Sequence, residues 1–219
     1  MIRLTNILNE SIVVTSSFVK LMKQFENSVM KGWNKKKKKW FPHISVEGGK
    51  KTIAYGHKLT ASEDFKDGIT DTEATKLLLA DIEKAQTKIK TILGIDIDKL
   101  PRYVQQALIN AMFRGELKST HDTVDLMKQD KWQEAAAEYI NHNDYKNGPA
   151  GVKKRMQWNY DKFKYYADSL KVYIVQSGDT LSSIAAKQPK GITAKTIALA
   201  NNIDLDNPII YPGQKLKIK

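Results

Sequence analysis

Four side chains in the first quarter of the chain have chemical types suited to moving a proton: Glu26, His43, Glu47 and Thr52. A carboxylic acid can donate a proton near neutral pH when burial raises its pKa. A neutral imidazole can accept one, because the ordinary pKa of histidine is about 6.5. A threonine hydroxyl can orient a water molecule, since it both donates and accepts hydrogen bonds. Side chains of these types are suited to acid–base catalysis, and the residue types alone do not assign a role to each of them.

A predicted amphipathic helix positions Glu26. We expect Ser16 or Ser17 to be its N-cap, because a serine hydroxyl accepts from the free N–H groups of the first turn. The predicted apolar stripe recurs at helical spacing and consists of Phe18, Leu21, Met22, Phe25 and Val29. Glu26 lies at the margin of this stripe, where apolar neighbours would raise the pKa of its carboxyl. A solvated glutamate at the edge of the stripe would show the same spacing.

Composition limits the classes of function. The chain has 219 residues, enough for one medium and one small domain, and it has no cysteine and four scattered histidines. Disulfides, a thiolate nucleophile and a cysteine-type zinc site are thereby excluded, and we expect no metal ion or cofactor. The formal net charge of +12 favours an anionic partner such as nucleic acid, anionic lipid or the bacterial cell wall.

Nucleic acid and a membrane span are not favoured. No nucleic-acid-binding module is apparent, and the lysine run at residues 35–39 lacks the interleaved aromatic residues of an RNA-binding surface. No apolar run approaches the length of a membrane-spanning helix. Residues 1–10 are too polar for the core of a signal peptide, so no signal peptide is expected.

Helical patterns dominate the middle of the chain. Thr70 and Glu73 have capping-box spacing before a helix that Gly94 ends. A second helix follows Pro101, and its dense apolar face is assigned to the core: Ala107, Leu108, Ala111 and Met112.

Two more helices are predicted before residue 171. The first is identified by Trp132, Ala135, Ala136 and Tyr139. The second runs from about Gly151 to Leu170, and we interpret its Lys153, Lys154 and Arg155 as a solvated basic face.

The order of motifs resembles the T-even phage lysozyme family, glycoside hydrolase family 24, over residues 18–170. The matching segments are Glu26 at the end of a first helix, Thr52-Ile-Ala-Tyr-Gly-His57, Gln106-Ala-Leu-Ile-Asn-Ala-Met-Phe113, Lys131-Trp-Gln-Glu-Ala-Ala136 and Val152-Lys-Lys-Arg155. The resemblance implies Glu26 as the catalytic acid and Thr52 as an active-site threonine. It also implies Phe113 and Arg114 as substrate contacts at the cleft.

The catalytic aspartate of that family has no counterpart here. Between Glu26 and Thr52 there is no aspartate, and His43 and Glu47 are the titratable candidates that remain near the hairpin. We favour His43 for activating water and Glu47 for shaping the loop before Gly48-Gly49. Both could instead be structural. A lytic transglycosylase needs only one carboxylic acid, so the missing aspartate keeps that activity open.

The pattern from Val172 to Lys219 reads as strand, helix, helix, strand. With Gly178-Asp-Thr-Leu181 and Pro212-Gly-Gln-Lys-Leu216, it closely resembles the LysM module, a βααβ unit that binds glycans containing N-acetylglucosamine. The resemblance implies a sugar groove between the first turn and the loop before the second strand. Its candidate residues are Gly178, Asp179, Thr180, Leu181, Asn207, Pro208, Ile209 and Ile210.

Both resemblances point to peptidoglycan. We predict an α+β protein with a tail at 1–16, a mainly helical lysozyme-like domain with a small β-hairpin lobe at 17–170, and a LysM module at 172–219. The predicted activity is that of a muramidase that cleaves between N-acetylmuramic acid and N-acetylglucosamine. The alternatives are a lytic transglycosylase and a non-catalytic wall-binding virion component.

The resemblance also suggests a biological setting. A phage endolysin would pass from the host cytoplasm to the cell wall during lysis, and we expect it to be a monomer. A virion-associated lysin would have other virion proteins as partners.

Overall fold

The computed structural model describes residues 13–45, 49–188 and 191–218. It confirms the predicted α+β class, with a mainly helical domain, a small β lobe and a C-terminal βααβ unit. The helices of the first domain are α1 (Ser16–Asn27), α2 (Asp71–Leu93), α3 (Arg102–Arg114), α4 (Asp122–Lys128), α5 (Trp132–Ile140), α6 (Asn143–Asn147) and α7 (Ala150–Ser169). The strands of its β lobe are β1 (Trp33–Asn34), β2 (Lys39–Trp40), β3 (His43–Ile44), β4 (Lys51–Ile53) and β5 (His57–Lys58). The C-terminal unit contains β6 (Val172–Ile174), α8 (Leu181–Ala186), α9 (Ala194–Ala200) and β7 (Lys215–Lys217).

Helix α1 begins at Ser16, one residue before the earliest start that an N-cap at Ser16 or Ser17 would give. Its N-cap is Thr15, whose hydroxyl accepts a hydrogen bond from the Phe18 N–H at 3.2 Å. The prediction of Ser16 or Ser17 as the cap is therefore wrong. A threonine satisfies the free N–H groups of the first turn as a serine would.

The C-terminal end of α1 also differs from the prediction. The helix ends at Asn27, and Val29 is 81% exposed, so Val29 does not extend the apolar stripe. Phe18 and Met22 are buried as predicted. Glu26 thus lies in the last turn of α1, directly before the chain enters the β lobe.

The β lobe comprises two antiparallel sheets. Strand β1 pairs with β2, and the second sheet has the order β3-β4-β5. In this register His43 lies opposite Thr52, and Ile53 lies opposite His57. Pairing across a sheet therefore brings together two candidate site residues that are nine positions apart.

Helix α2 confirms both of its predicted ends. The Thr70 hydroxyl accepts from the Glu73 N–H at 3.3 Å, and the Glu73 carboxylate accepts from the Thr70 N–H at 2.8 Å. Gly94 ends the helix in the left-handed region, with φ of +63°. A residue without Cβ adopts that backbone conformation at low cost.

The first domain has one large core. Helix α5 packs on α7, and α3 packs on both α2 and α7. The residues predicted to be buried on α3 and α5 are buried: Ala107, Leu108, Ala111, Met112, Trp132, Ala135, Ala136 and Tyr139. The predicted tail is described only from Val13, and there Val13 and Val14 join this core.

The βααβ unit has a separate small core. Strands β6 and β7 pair antiparallel, with Tyr173 opposite Leu216. Its buried apolar residues are Val175, Leu181, Ile184, Ile197, Ala198, Leu216 and Ile218.

Candidate active site

Glu26 lies against an arginine from the far end of the domain. The Arg155 guanidinium donates through Nη1 to Glu26 Oε1, and the side chains of Arg155 and Glu26 are 5% and 14% exposed. The arginine also donates through Nη2 to the Asn110 carbonyl oxygen at 3.0 Å. A planar guanidinium that uses two donors in fixed directions holds its carboxylate partner in one orientation.

This arrangement corrects two expectations. The surroundings of Glu26 are not purely apolar, because they include the charged Arg155. Arg155 itself is 4% exposed, so its interpretation as part of a solvated basic face is wrong. The burial pattern of α7 contained the relevant signal, since Arg155 shares a helix face with Val152, Met156 and Asn159.

Two aromatic rings flank the arginine. The guanidinium carbon of Arg155 lies 5.6 Å from the ring centre of Phe25 and 6.0 Å from that of Phe113. Such contacts favour a cation over the ring face and keep water from one side of it. Phe113, a predicted substrate contact, is thus partly buried beside the pair of Glu26 and Arg155.

The turn between β4 and β5 closes over Glu26. A Cβ atom at Gly56 would lie 2.8 Å from Glu26 Oε2, and Gly56 has φ of +78°. A side chain at position 56 would therefore collide with the carboxylate as well as strain the backbone. Sequence reasoning noted Gly56 only as part of a motif and did not assign it this role.

Asn27 ties the end of α1 to the same turn. Its side-chain amide donates to the Ala54 carbonyl oxygen at 2.7 Å and to the Lys31 carbonyl oxygen at 2.9 Å. Its side-chain oxygen accepts from the Lys31 N–H at 2.8 Å. Asn27 is 9% exposed, so these bonds are shielded from water. They fix the position of Glu26, the preceding residue, relative to the β lobe.

His43 and Thr52 are the second pair of candidate site residues. His43 Nε2 lies 3.5 Å from Thr52 Oγ1, and His43 Nδ1 lies 3.4 Å from the Phe41 carbonyl oxygen. Thr52 is 5% exposed and His43 is partly buried. A Cβ atom at Gly32 would lie 2.7 Å from His43 Nδ1, so the imidazole packs directly on the backbone of residue 32. Glu47, the other titratable candidate, lies outside the described residues.

Arg114 has internal partners. Its Nε lies 2.9 Å from Glu116 Oε1, and its Nη2 donates to Asp144 Oδ2 at 2.9 Å. Its side chain is 15% exposed. As a substrate contact, Arg114 stays a prediction.

A buried polar network extends behind Arg155. Asn110 donates to Asn159 Oδ1 at 2.8 Å, and Asn159 donates to the Tyr139 hydroxyl oxygen at 2.7 Å. The Tyr139 hydroxyl donates in turn to Glu116. Burial is the main cause that raises the pKa of the Glu116 carboxyl. These hydrogen bonds link α3, α5 and α7 behind Arg155.

The residues of the predicted sugar groove fall into two groups. Leu181 is in the small core, and the Asp179 carboxylate accepts from the Gln176 N–H at 2.8 Å, from the Tyr173 hydroxyl at 2.7 Å and from Lys187 Nζ at 3.0 Å. The backbone bond from Gln176 is the main cause that lowers the pKa of Asp179 to about 2. The other candidates are exposed or partly exposed: Gly178, Thr180, Asn207, Pro208, Ile209 and Ile210.

Within residues 13–45, 49–188 and 191–218, no group of three or more His, Cys, Asp or Glu side chains is arranged to hold a metal ion. In the same part of the chain, no helix combines the length and apolarity needed to cross a membrane.

Comparison with known proteins adds two family matches. The family described as phage lysozyme matches residues 42–159, and the LysM domain matches residues 173–219. Thr52, His43 and Arg155 lie inside the first match, whereas Glu26 precedes it. No curated protein matches the chain.

One solved structure that matches part of the chain is the "Muramidase domain of SpmX from Asticaccaulis excentricus". It is 20% identical to this chain, with a TM-score of 0.49. The match covers 68% of this chain and 95% of that one.

Proposed function

We propose that this chain, which belongs to the phage lysozyme family and carries a LysM domain, hydrolyses peptidoglycan between N-acetylmuramic acid and N-acetylglucosamine. The assignment of Glu26 as the catalytic acid rests on the surroundings of its carboxylate. This carboxylate is held by Arg155, covered by the turn at Gly56 and placed next to the β lobe by Asn27.

In the proposed reaction, Glu26 transfers its proton to the glycosidic oxygen as the bond from that oxygen to the anomeric carbon breaks. A water molecule attacks the anomeric carbon and gives a proton to His43. Thr52 orients this water, and support for that role comes from the 3.5 Å separation between its Oγ1 and His43 Nε2. Arg155 acts as a positioning residue, since its contact is with Glu26.

The LysM domain provides a second binding site for the same polymer. Binding of one glycan segment raises the local concentration of the next segment at the active site. We propose that the exposed loops at Gly178 to Thr180 and Asn207 to Ile209 make this contact, while Asp179 shapes the first loop through its internal hydrogen bonds. A phage lysin, either free or carried on a virion, is the setting that we propose.

One observation favours a second candidate, a lytic transglycosylase. The segment between Glu26 and Thr52 contains no aspartate. In a transglycosylase the 6-hydroxyl of the muramic acid attacks the anomeric carbon, so no activated water is needed. Glu26 would then be sufficient as the acid, and the products would carry anhydro ends.

The test is the change Glu26→Gln, which keeps the shape of the side chain but removes its transferable proton. We expect turnover on purified peptidoglycan to fall by about 10²- to 10⁴-fold, the usual size of general acid catalysis. Mass spectrometry of wild-type digests should show reducing muramic acid ends.

The matched control is Glu134→Gln, which changes an exposed glutamate on α5. It should retain wild-type turnover. If Glu26→Gln kept half of the wild-type turnover, Glu26 would not be the acid. Anhydro ends would establish the transglycosylase, and absence of any release by the wild type would indicate a non-catalytic wall-binding protein.

A further inference from the structure

The lysine run forms the tip of an ordered hairpin. This lysine hairpin, residues 33–40, consists of β1, β2 and the four lysines between them. Lys35, Lys36, Lys37 and Lys38 are all exposed. Within the described part of the chain, none of these four ammonium groups has an acidic partner, although Lys37 lies 5.4 Å from the ring centre of Phe41.

The base of the hairpin is anchored in the protein core. Trp40 is completely buried, and its ring centre lies 5.0 Å from that of Trp33 and 5.1 Å from that of Tyr55. The Trp40 indole N–H donates to Asp71 at 3.1 Å, and the Trp40 backbone forms two hydrogen bonds with Ile69. Side chains buried this completely have few alternative positions. The hairpin therefore projects from a rigid base.

The tip has an unfavourable backbone conformation for its sequence. Lys38 has φ of +51°, a region in which glycine or asparagine is favoured over lysine. The Asn34 side chain supports the turn by accepting from the Lys37 N–H at 3.0 Å. Four neighbouring ammonium groups also repel one another. Strained backbone conformations that the surrounding structure maintains are concentrated at functional sites.

The hairpin adjoins the candidate active site. The Phe41 N–H, just after β2, donates to the Gly32 carbonyl oxygen at 2.8 Å. Gly32 in turn packs on the His43 imidazole, where a Cβ atom would lie 2.7 Å from Nδ1. From Gly32 to Lys36 there are about 13 Å of extended chain at roughly 3.3 Å per residue. The lysines at the tip therefore lie no farther than about this distance from the residue that packs on His43.

We propose that the lysine hairpin binds the carboxylates of the peptidoglycan stem peptides next to the glycan bond that is cut. This inference rests on the proposed function, which places peptidoglycan at His43 and Glu26. Stem peptides supply the closest anions to such a glycan, and unpaired ammonium groups attract carboxylates. A nucleic acid is a poorer fit, because Trp40 is completely buried and the partly exposed Trp33 packs against it, so the hairpin offers no row of exposed rings on which bases could stack.

The test compares wall binding of full-length chains that all carry Glu26→Gln, so that binding is measured without cutting. The hairpin variant adds Lys35→Gln, Lys36→Gln and Lys37→Gln. We expect it to pellet with purified walls about tenfold more weakly at low salt, from three exposed charge pairs of ordinary strength. The difference should shrink at 1 M salt, where the Debye length is about 3 Å.

A matched control removes the same charge elsewhere. Lys88, Lys118 and Lys131 are exposed on the same domain, and changing all three to glutamine should reduce binding much less. Walls whose carboxyl groups have been converted to amides should bind the hairpin variant and its parent equally. Equal losses in the hairpin and control variants would overturn the proposal. So would a hairpin effect that persists on amidated walls, since it would indicate phosphate polymers or another anion.

The single substitution Lys38→Asn distinguishes an effect on wall binding from an effect on the stability of the fold. Lys38→Asn places a residue suited to the left-handed region at that position. We expect an equal or higher melting temperature together with weaker wall binding. Unchanged binding would contradict the proposal. Should Glu26→Gln remain active, the catalytic assignment would fail while these binding comparisons would still be informative.

Discussion

At the scale of single residues, the decisive contact joins Glu26 to Arg155. The two residues are 129 positions apart, and both side chains are largely buried. A buried charge is stable only when it is paired and hydrogen-bonded. Arg155 meets this condition through Glu26 and the Asn110 carbonyl oxygen. The orientation of the proposed acid therefore depends on the packing of α1, α3 and α7 together.

The proposed base can be tested at the same scale by His43→Ala. Because the side-chain hydrogen bonds of His43 within the described residues are long, at 3.4 and 3.5 Å, we expect the melting temperature to change little. Turnover on peptidoglycan should fall by about 10²-fold or more, since general base catalysis would be lost.

Another histidine provides a control for this prediction. His142 caps α6 by accepting from the Asp144 N–H at 3.2 Å. His142→Ala should lower the melting temperature while turnover per folded molecule stays the same. Full activity in His43→Ala, together with anhydro products, would exclude the hydrolase mechanism and leave Glu26 acting alone.

At the scale of elements, His57 connects the β lobe to the helical part of the domain. Its Nδ1 lies 2.6 Å from Asp81 on α2, and its Nε2 lies 3.1 Å from Glu63 in the following loop. The Tyr55 hydroxyl adds a contact of 2.5 Å to Asp71 at the start of α2. These contacts keep the turn over Glu26 in place, because β5 cannot move away from α2 without breaking them.

The Glu63 carboxylate makes the stability of this contact between the β lobe and α2 depend on pH. Hydrogen bonds from the Thr60 backbone, then from the Thr60 hydroxyl and His57, lower the pKa of Glu63 to about 2. The ordinary value for an unfolded chain is about 4.3. A lowered pKa contributes stability that is fully present above the unfolded value and is lost as pH falls towards the folded value. The stability that Glu63 contributes should therefore disappear between about pH 5 and pH 2.

The measurement is the melting temperature of Glu63→Gln across this pH range. The variant should be less stable than the wild type at pH 7, and the difference should narrow steadily in acid. Glu83→Gln, which changes an exposed residue in the middle of α2, should parallel the wild type throughout. A gap between Glu63→Gln and the wild type that stayed constant down to pH 2 would show that Glu63 acts through packing and not through its charge.

At the scale of the whole molecule, the described residues form two separate hydrophobic cores. The large core supports the proposed acid and the β lobe, and the small core of the LysM domain supports its loops. Cores that are complete in themselves allow each domain to fold as a unit. The domain boundary at residues 170–172 stays a prediction.

Removal of residues 172–219 tests this division. The remaining chain should keep a cooperative melting transition and its turnover on short soluble glycans. Its binding to insoluble walls should weaken by about 10²-fold or more, because the second attachment point is lost. If the shortened chain pelleted with walls as well as the full chain did, the lysine hairpin and the rest of the basic surface would be the main anchor.

The sequence by itself determined the features that depend on neighbouring residues. The capping box of Thr70 and Glu73, the helix end at Gly94 and the buried face of α3 all follow from local spacing, and all are confirmed. The LysM module is predicted from the resemblance of its two short motifs to that family, and the family match at residues 173–219 confirms it. Such signals are readable because capping bonds and helical periodicity involve residues at most a few positions apart.

Only the tertiary structure decided what surrounds Glu26. The burial of Arg155, the closeness of Gly56 and the anchoring of the lysine hairpin by Trp40 each depend on segments far apart in the chain. From sequence alone, a basic residue on a helix is predicted to be exposed to solvent, because burying an unpaired charge costs too much free energy. Burial becomes acceptable only when an acidic partner from another segment pairs with that charge. The partner of Arg155 is Glu26, and only the packing of α1 against α7 brings the two together.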